Sequence, residues 1–280
     1  MNRRTHKKQA SYGSWIVAII VLIAIVAAGV YLVRLAMHPN TATATSPSAS
    51  SSVASPTSAA STIQHPIVQA ASGPAPASTA SLPALADSDA SVLDALSTLA
   101  SGGDLRSLLV SSQIITRVVA TVDALPRPSF GSSRILPLRT PKGAMQTQQA
   151  NGVTVISASN ADRYGPYMTV LESADPHALV AWYKRNYPLF QQAYQELGYP
   201  HGYFNDRLLG AIDDMLAAPE PHDPVAVIQV GSHYDFVDPQ LQSLSSGQKL
   251  MVRLGSANEA QFKAKLRTIR TLLVGGQVAH

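Results

Sequence analysis

Apolar and polar positions along this chain change rhythm three times. From Trp15 to Val33 there is no polar face: 19 consecutive residues carry no charge, and most are Ile, Val, Leu or Ala. At about 1.5 Å per residue the run reaches about 30 Å, the thickness of a bilayer's hydrocarbon. From His38 to Ser81 the signal fades into Ser, Thr, Ala and Pro without a formally charged side chain. From Leu82 onward apolar residues recur at helical spacing, with short β-branched runs between them.

The third regime predicts a series of helices. Asp87 or Ser88 starts one with Val92, Leu93, Leu96 and Leu99 inward, ended by Gly102-Gly103. Asp104 caps a short turn through Leu108 and Leu109. Ser111 or Ser112 starts a stronger helix with Ile114, Ile115, Val118, Val119, Val122 and Leu125 on one face, and Pro126 stops it. Ser159 or Asn160 begins a helical stretch to about Ser173. Asp175-Pro176 opens a long helix with Leu179, Trp182, Tyr183, Tyr187, Phe190, Tyr194 and Leu197 on one stripe. Pro188 within it predicts a kink or a break, and Gly198 a stop. Asn205 is expected to cap the next helix, with Leu208, Leu209, Ile212, Met215 and Leu216 inward. Asp238-Pro239 repeats the start signal. A short helix over Gln248 to Leu254 follows, then a last one with Phe262, Leu266, Ile269 and Leu273 inward and Lys263, Arg267 and Arg270 outward. Ser256 and Glu259 have capping-box spacing there. Asn151-Gly152 before Val153-Thr154-Val155-Ile156 predicts a hairpin and strand, and Val225 to Val230 a second strand. About seven helices and two to four strands make the fold class mostly α with a small β component.

The first regime sets the organisation. Arg3, Arg4, Lys7 and Lys8 precede the apolar run, and beyond Arg34 no Lys or Arg occurs until Arg106. The positive-inside rule then places residues 1–13 as a basic cytoplasmic head, 14–36 as a transmembrane signal-anchor helix in the lipid bilayer, and the rest across the membrane. A cleaved signal peptide is the rival, but its apolar core is usually about 7–15 residues. Residues 37–81 read as a disordered linker, poor in apolar surface. Its relaxed span is on the order of 35 Å. Residues 82–276 form one globular α-rich domain. The expected location is the inner membrane, single-pass, with the domain periplasmic.

Charge changes its meaning once the chain is divided. The net charge is +4 and the pI near 9.3. Five of the 21 basic residues lie at or before Arg34, while all 17 acids lie at or after Asp87, so the domain is close to neutral. It has no basic stripe for nucleic acid. Arg127, Arg134, Arg139 and Lys142 form one local basic cluster in an irregular stretch, read as a solvated loop. Cysteine is absent, which excludes disulfides and thiolate chemistry.

Catalytic signals are weak. Ser246-Gly-Gln-Lys249 matches S-x-x-K, but the S-D-N and K-T-G elements that accompany it in acyl enzymes do not occur. His177, His201, His222 and His233 show no metal spacing, and His233 with Asp235 makes two thirds of a site at most. No P-loop, dinucleotide fingerprint or G-x-S-x-G occurs, and no cofactor or metal is expected. The most unusual segment is Gly198 to Arg207. Tyr199, His201, Tyr203, Asn205, Asp206 and Arg207 are candidates for a binding surface. His201, Asp206 and Asp213 are the suspects for acid–base catalysis.

Longer motifs carry a resemblance. Asp123-Ala-Leu-Pro-Arg127, Tyr187-Pro188 with Tyr194, Glu196 and Leu197-Gly-Tyr-Pro200, Phe204-Asn-Asp-Arg207 and Ala211-Ile-Asp213 resemble the bacterial family called domain of unknown function 3014. Tyr234, Phe236, Asp238-Pro239, Leu241, Leu244, Ser245 and Gly247-Gln-Lys249 fit it too, so the resemblance covers about Leu82 to Leu273. It implies a membrane-anchored protein with a similar amino-terminal span, and it supplies no established activity or catalytic residues. The expected function is a membrane-anchored envelope protein whose domain binds an envelope protein or cell-wall partner, with self-association as a third possibility. The competing class is an envelope-polymer hydrolase using Asp and His.

Overall fold

In a computed structural model of the chain, residues 82–100, 104–222 and 224–275 are described. The expected head, span and linker lie outside them. No helix among the described residues is long and apolar enough to cross a membrane.

Nine α-helices, four strands and short 3-10 turns make up the described domain. The helices are α1 (Asp89–Leu99), α2 (Leu105–Leu108), α3 (Ile114–Ala124), α4 (Gly165–Ser173), α5 (Pro176–Glu196), α6 (Phe204–Leu216), α7 (Pro239–Ser243), α8 (Ser246–Leu254) and α9 (Ser256–Leu273). The strands are β1 (Thr147–Ala150), β2 (Val153–Ile156), β3 (Val227–Val230) and β4 (His233–Phe236). The fold is mostly α with a small β component, as expected. The count exceeds seven because α2 and α7 are short turns of helix.

The expected stripes form the core. Leu96, Ile114, Val118, Val122, Leu179, Phe190, Ile212, Phe262 and Leu266 are buried together where α1, α3, α5, α6 and α9 meet. Aromatic rings fill the α5–α6 interface, with Phe190 stacked on Phe204 at 5.7 Å and Tyr183 edge-on to Phe190 at 5.2 Å. A separate small core of Val227, Phe236 and Val252 lies under the second hairpin.

Each hairpin is antiparallel. Asn151 (φ 52°) and Gly152 (φ 78°) supply the left-handed pair that a tight β1–β2 turn needs. The hairpins are joined edge to edge by a bridge between Val155 and Ala226, with Ile156 N–H donating to the Val225 carbonyl at 2.9 Å.

Several helix starts differ from expectation, because tertiary partners replace local caps. Neither Ser111 nor Ser112 caps α3. Asp89 of α1 does, accepting from the Gln113 and Ile114 amides at 2.7 and 2.8 Å. The stretch expected from Ser159 is first a 3-10 turn (Ala158–Tyr164), and α4 starts only at Gly165 with Pro166 in its first turn. Helix α8 starts at Ser246, two residues earlier than expected, and Ser245 caps it in a reciprocal capping box with Gln248. Ser256 and Glu259 make no box: Gly255 precedes α9, and Glu259 turns inward to Lys263. Asp104, Asp175 and Asp238 cap as expected.

Two interior residues also depart from pattern. Helix α5 is continuous through Pro188 for 21 residues. Pro188 is exposed, so its ring lies on the solvent side of the helix and not in the core. Lys263 does not face outward. It is buried, with Nζ 2.7 Å from the Ala218 carbonyl, 2.7 Å from Glu220 and 2.9 Å from Glu259.

Candidate functional site

Three chain segments deliver ionisable groups to one point between α3, α5 and α6. The last turn of α3 presents Asp123, and the turn at Pro126 brings Arg127 back onto it. The end of α5 at Gly198 (φ +113°) releases Tyr199, and the second turn of α6 presents Arg207.

Asp123 is the hub. Its side chain is 8% exposed, and Arg127 Nη2 donates to its Oδ2. Arg207 Nε lies 3.0 Å from Oδ1, an ion-pair distance without the angle of a hydrogen bond, while its Nη2 donates to the Asp123 carbonyl. Tyr199 closes the ring: its hydroxyl accepts from Arg127 at 2.7 Å and lies 3.4 Å from Oδ2. The Tyr199 ring stacks on Tyr194 at 4.5 Å. A buried carboxylate needs such partners, because desolvation without them costs several kcal/mol, on the order of 3 or more.

The network continues into α8. Ser245 Oγ donates to Asp214 at 2.6 Å, and Gln248 Nε2 donates to the Asp214 carbonyl at 3.1 Å. Burial pushes the Asp214 carboxyl up, against the opposing pull of the Ser245 bond and of Arg207. The amides of Ser246 and Gly247 donate to the carbonyls of Arg127 and Leu125 at 2.7 and 2.9 Å. A Cβ on Gly247 would lie 2.9 Å from Met215 and 3.4 Å from the Leu125 carbonyl, so this approach requires glycine. Hence the motifs around Asp123, Tyr199, Arg207 and Ser245, distant in sequence, form one helix junction.

The candidate residues distribute unevenly over this junction. Tyr199 and Arg207 belong to it. Tyr203 is exposed beside it, and His201 is exposed at the loop tip. Asn205 is fully buried and so lies on no binding surface. It sits inside α6 instead of capping it, with Oδ1 3.4 Å from the Tyr183 hydroxyl. Asp206 is partly buried near Tyr183 and Tyr187, whose phenols feel its charge. Asp213 lies two helical turns further along, about 10 Å of rise, with Oδ2 3.1 Å from Arg270 Nη2 of α9. That bond raises the Arg270 pKa.

Gln191 was not among the candidates. Its Oε1 accepts from the Phe204 amide at 2.9 Å and the Tyr187 hydroxyl at 2.8 Å, and its Nε2 donates to the Gly202 carbonyl at 2.7 Å. It therefore caps α6 and clamps the 199–203 loop. The signal was present in sequence: a glutamine at the apolar spacing of Tyr187, Phe190 and Tyr194.

The remaining motifs resolve simply. Ser246 Oγ is sealed from solvent, out of a substrate's reach. Burial, with Arg253 adding to it, lowers the Lys249 pKa. His233 and Asp235 approach at 3.5 Å on β4. Among the described residues no group of three or more His, Cys, Asp or Glu is placed to hold a metal. Of the basic cluster, Arg127 is tied to Asp123, and the carbonyls of Arg134, Arg139 and Lys142 serve as acceptors for Arg117, Tyr167 and Arg163.

The geometry defines a class: a helix-rich domain whose polar centre is a set of ion pairs joining its helices. The chain belongs to the family described as "Protein of unknown function (DUF3014)", which matches residues 114–270, more than half of the 280. The match begins at the first residue of α3, so α1 and α2 lie before it. No curated protein and no solved structure matches the chain.

Proposed function

We propose that the protein is a membrane-anchored envelope component whose α-rich domain acts as a binding or scaffold module on a tether. The observation that carries this reading is the use of the domain's charge. Asp123 is enclosed by Arg127, Arg207 and Tyr199, Asp213 is bound to Arg270, and Glu220 is bound to Lys263. These carboxylates join elements to one another, which suits a rigid platform better than a reaction centre. The 14–36 run supports the anchor, and the charge asymmetry around it supports a periplasmic domain. The near-neutral domain argues against nucleic acid as partner.

The test uses the full-length chain in its own membrane. Protease added to spheroplasts is expected to cut within residues 37–81 and release an intact domain. Full protection of the domain overturns the orientation. In-cell crosslinking is then expected to capture one saturable envelope partner, whereas turnover of a cell-wall polymer by the purified chain, lost on Asp206→Asn, overturns the binding-module reading.

A further inference from the structure

The joined hairpins run in the order β1-β2-β3-β4, with the Val155–Ala226 bridge in the middle, so β1 and β4 are the edges. Edge strands present unpaired amides and carbonyls, and proteins commonly cover or charge them. The β4 edge is covered. Gln242 Oε1 accepts from the Phe236 amide at 3.0 Å, and Arg253 Nη2 donates to the Tyr234 carbonyl at 3.1 Å. The β1 edge has no such cover among the described residues.

The register fixes which groups of β1 are open. Asn151 and Gly152 alone join Ala150 to Val153, so Ala150–Val153 and Gln148–Val155 are the pairs that exchange backbone bonds. The Ile156 amide has the matching phase: it points away from β1, to the Val225 carbonyl at 2.9 Å. Thr147 and Gln149 therefore turn their amides and carbonyls outward, and among the described residues nothing bonds to these groups. Gln148 and Gln149 are exposed, and Thr147 and Ala150 are half-buried.

The occupant that fits this edge is the same strand of a second copy. With the strands antiparallel about a twofold axis at Gln148, Thr147 of one copy lies opposite Gln149 of the other. The open amides and carbonyls of each strand then satisfy those of its mate. Gln148 faces Gln148 of the second copy, and a side-chain amide is its own complement, with donors and an acceptor. Charge permits the approach, because residues 143–161 carry no charged side chain. The lysines and prolines that keep other edges apart are missing from this Thr-Gln-Gln-Ala strand.

We infer that the β1 edge is a self-association surface, on which two copies pair antiparallel and make one continuous sheet. The inference rests neither on the membrane anchor nor on the envelope location. Pairing between strands this short is weak and reversible, so covalent trapping is the way to detect it.

The chain has no cysteine, so a thiol introduced by substitution reports only on its own position. The full chain is oxidised mildly with copper phenanthroline, in non-ionic detergent and in its own membrane. Gln148→Cys is expected to give a disulfide-linked dimer, since facing Cβ atoms in such a pair lie about 4.5–5.5 Å apart. Val230→Cys, exposed on the second hairpin, is expected to dimerise at least about tenfold more slowly. Gln146 continues the strand, its carbonyl accepting from the Ser157 amide, and the twofold sets it opposite Ala150 of the second copy. Copies with Gln146→Cys and copies with Ala150→Cys are therefore expected to form a mixed disulfide. Adding Gln148→Lys to both is expected to abolish it, and Gln148→Lys in one with Gln148→Glu in the other to restore it. No more dimer from Gln148→Cys than from Val230→Cys overturns the inference. So does a mixed disulfide that survives Gln148→Lys in both copies, or one that the Lys–Glu combination does not restore. Trapping of a different protein in place of a second copy overturns it too.

Discussion

Lys263 shows how one residue's meaning depends on what lies opposite. On its own helix it reads as a solvent-facing lysine four residues after a glutamate. In the fold it is 3% exposed and lies between Glu259, Glu220 and the Ala218 carbonyl. Burial works against its charge, but the bonds to Glu220 and Glu259 outweigh that and raise its pKa. Lys263→Met leaves Glu259 buried without a partner and is expected to cost about 3 kcal/mol. Denaturant unfolding checks this, and Lys263→Met combined with Glu259→Leu is expected to recover most of the loss. The tyrosines give a pH dependence. Burial pushes Tyr187 and Tyr167 from 10.0 to about 12. Between those values the folded chain keeps phenolic protons that the unfolded chain has lost. Their stabilisation is therefore complete below pH 10 and disappears as pH rises towards 12. Unfolding midpoints measured across that range are expected to fall, less steeply in Tyr187→Phe.

At the scale of elements, helix starts are where neighbours replaced local chemistry. Helix α3 is capped by Asp89 from α1, and α6 by Gln191 from α5. Asp89→Ala removes two acceptors and is expected to cost about 1–2 kcal/mol. Hydrogen exchange at the first amides of α3 is expected to quicken, while α5 stays protected. An unchanged rate at Gln113 and Ile114 would contradict the capping role. Because the family match begins at Ile114, this also tests whether the residues before it secure the first helix of the matched region. Starts with their acceptor adjacent in sequence, at Asp104, Asp175 and Asp238, were legible without the fold. A cap from 24 residues away leaves no local pattern.

For the whole molecule, the joined hairpins and the helix bundle create two polar regions with different characters. Around Asp123, charges are matched and the helices locked together; around Arg253, the guanidinium lies over the Phe236 ring and on the Tyr234 carbonyl. Half of the first region was readable: Tyr199 and Arg207 stood out in an odd segment, and Asp123 with Arg127 carried the family resemblance. That the two groups meet was not readable, since 72 residues separate Arg127 from Tyr199. Arg253 gave no signal, because an arginine near the end of a short amphipathic helix looks like surface. By itself the sequence determined the helical stripes, the hairpin turn, the Asp-Pro starts and the family, since each depends on spacing within a few residues. Only the tertiary structure decided which carboxylates are paired, which lysine is buried and which arginine lies over an aromatic ring. Those outcomes depend on desolvation and on partners that the chain brings together from far apart.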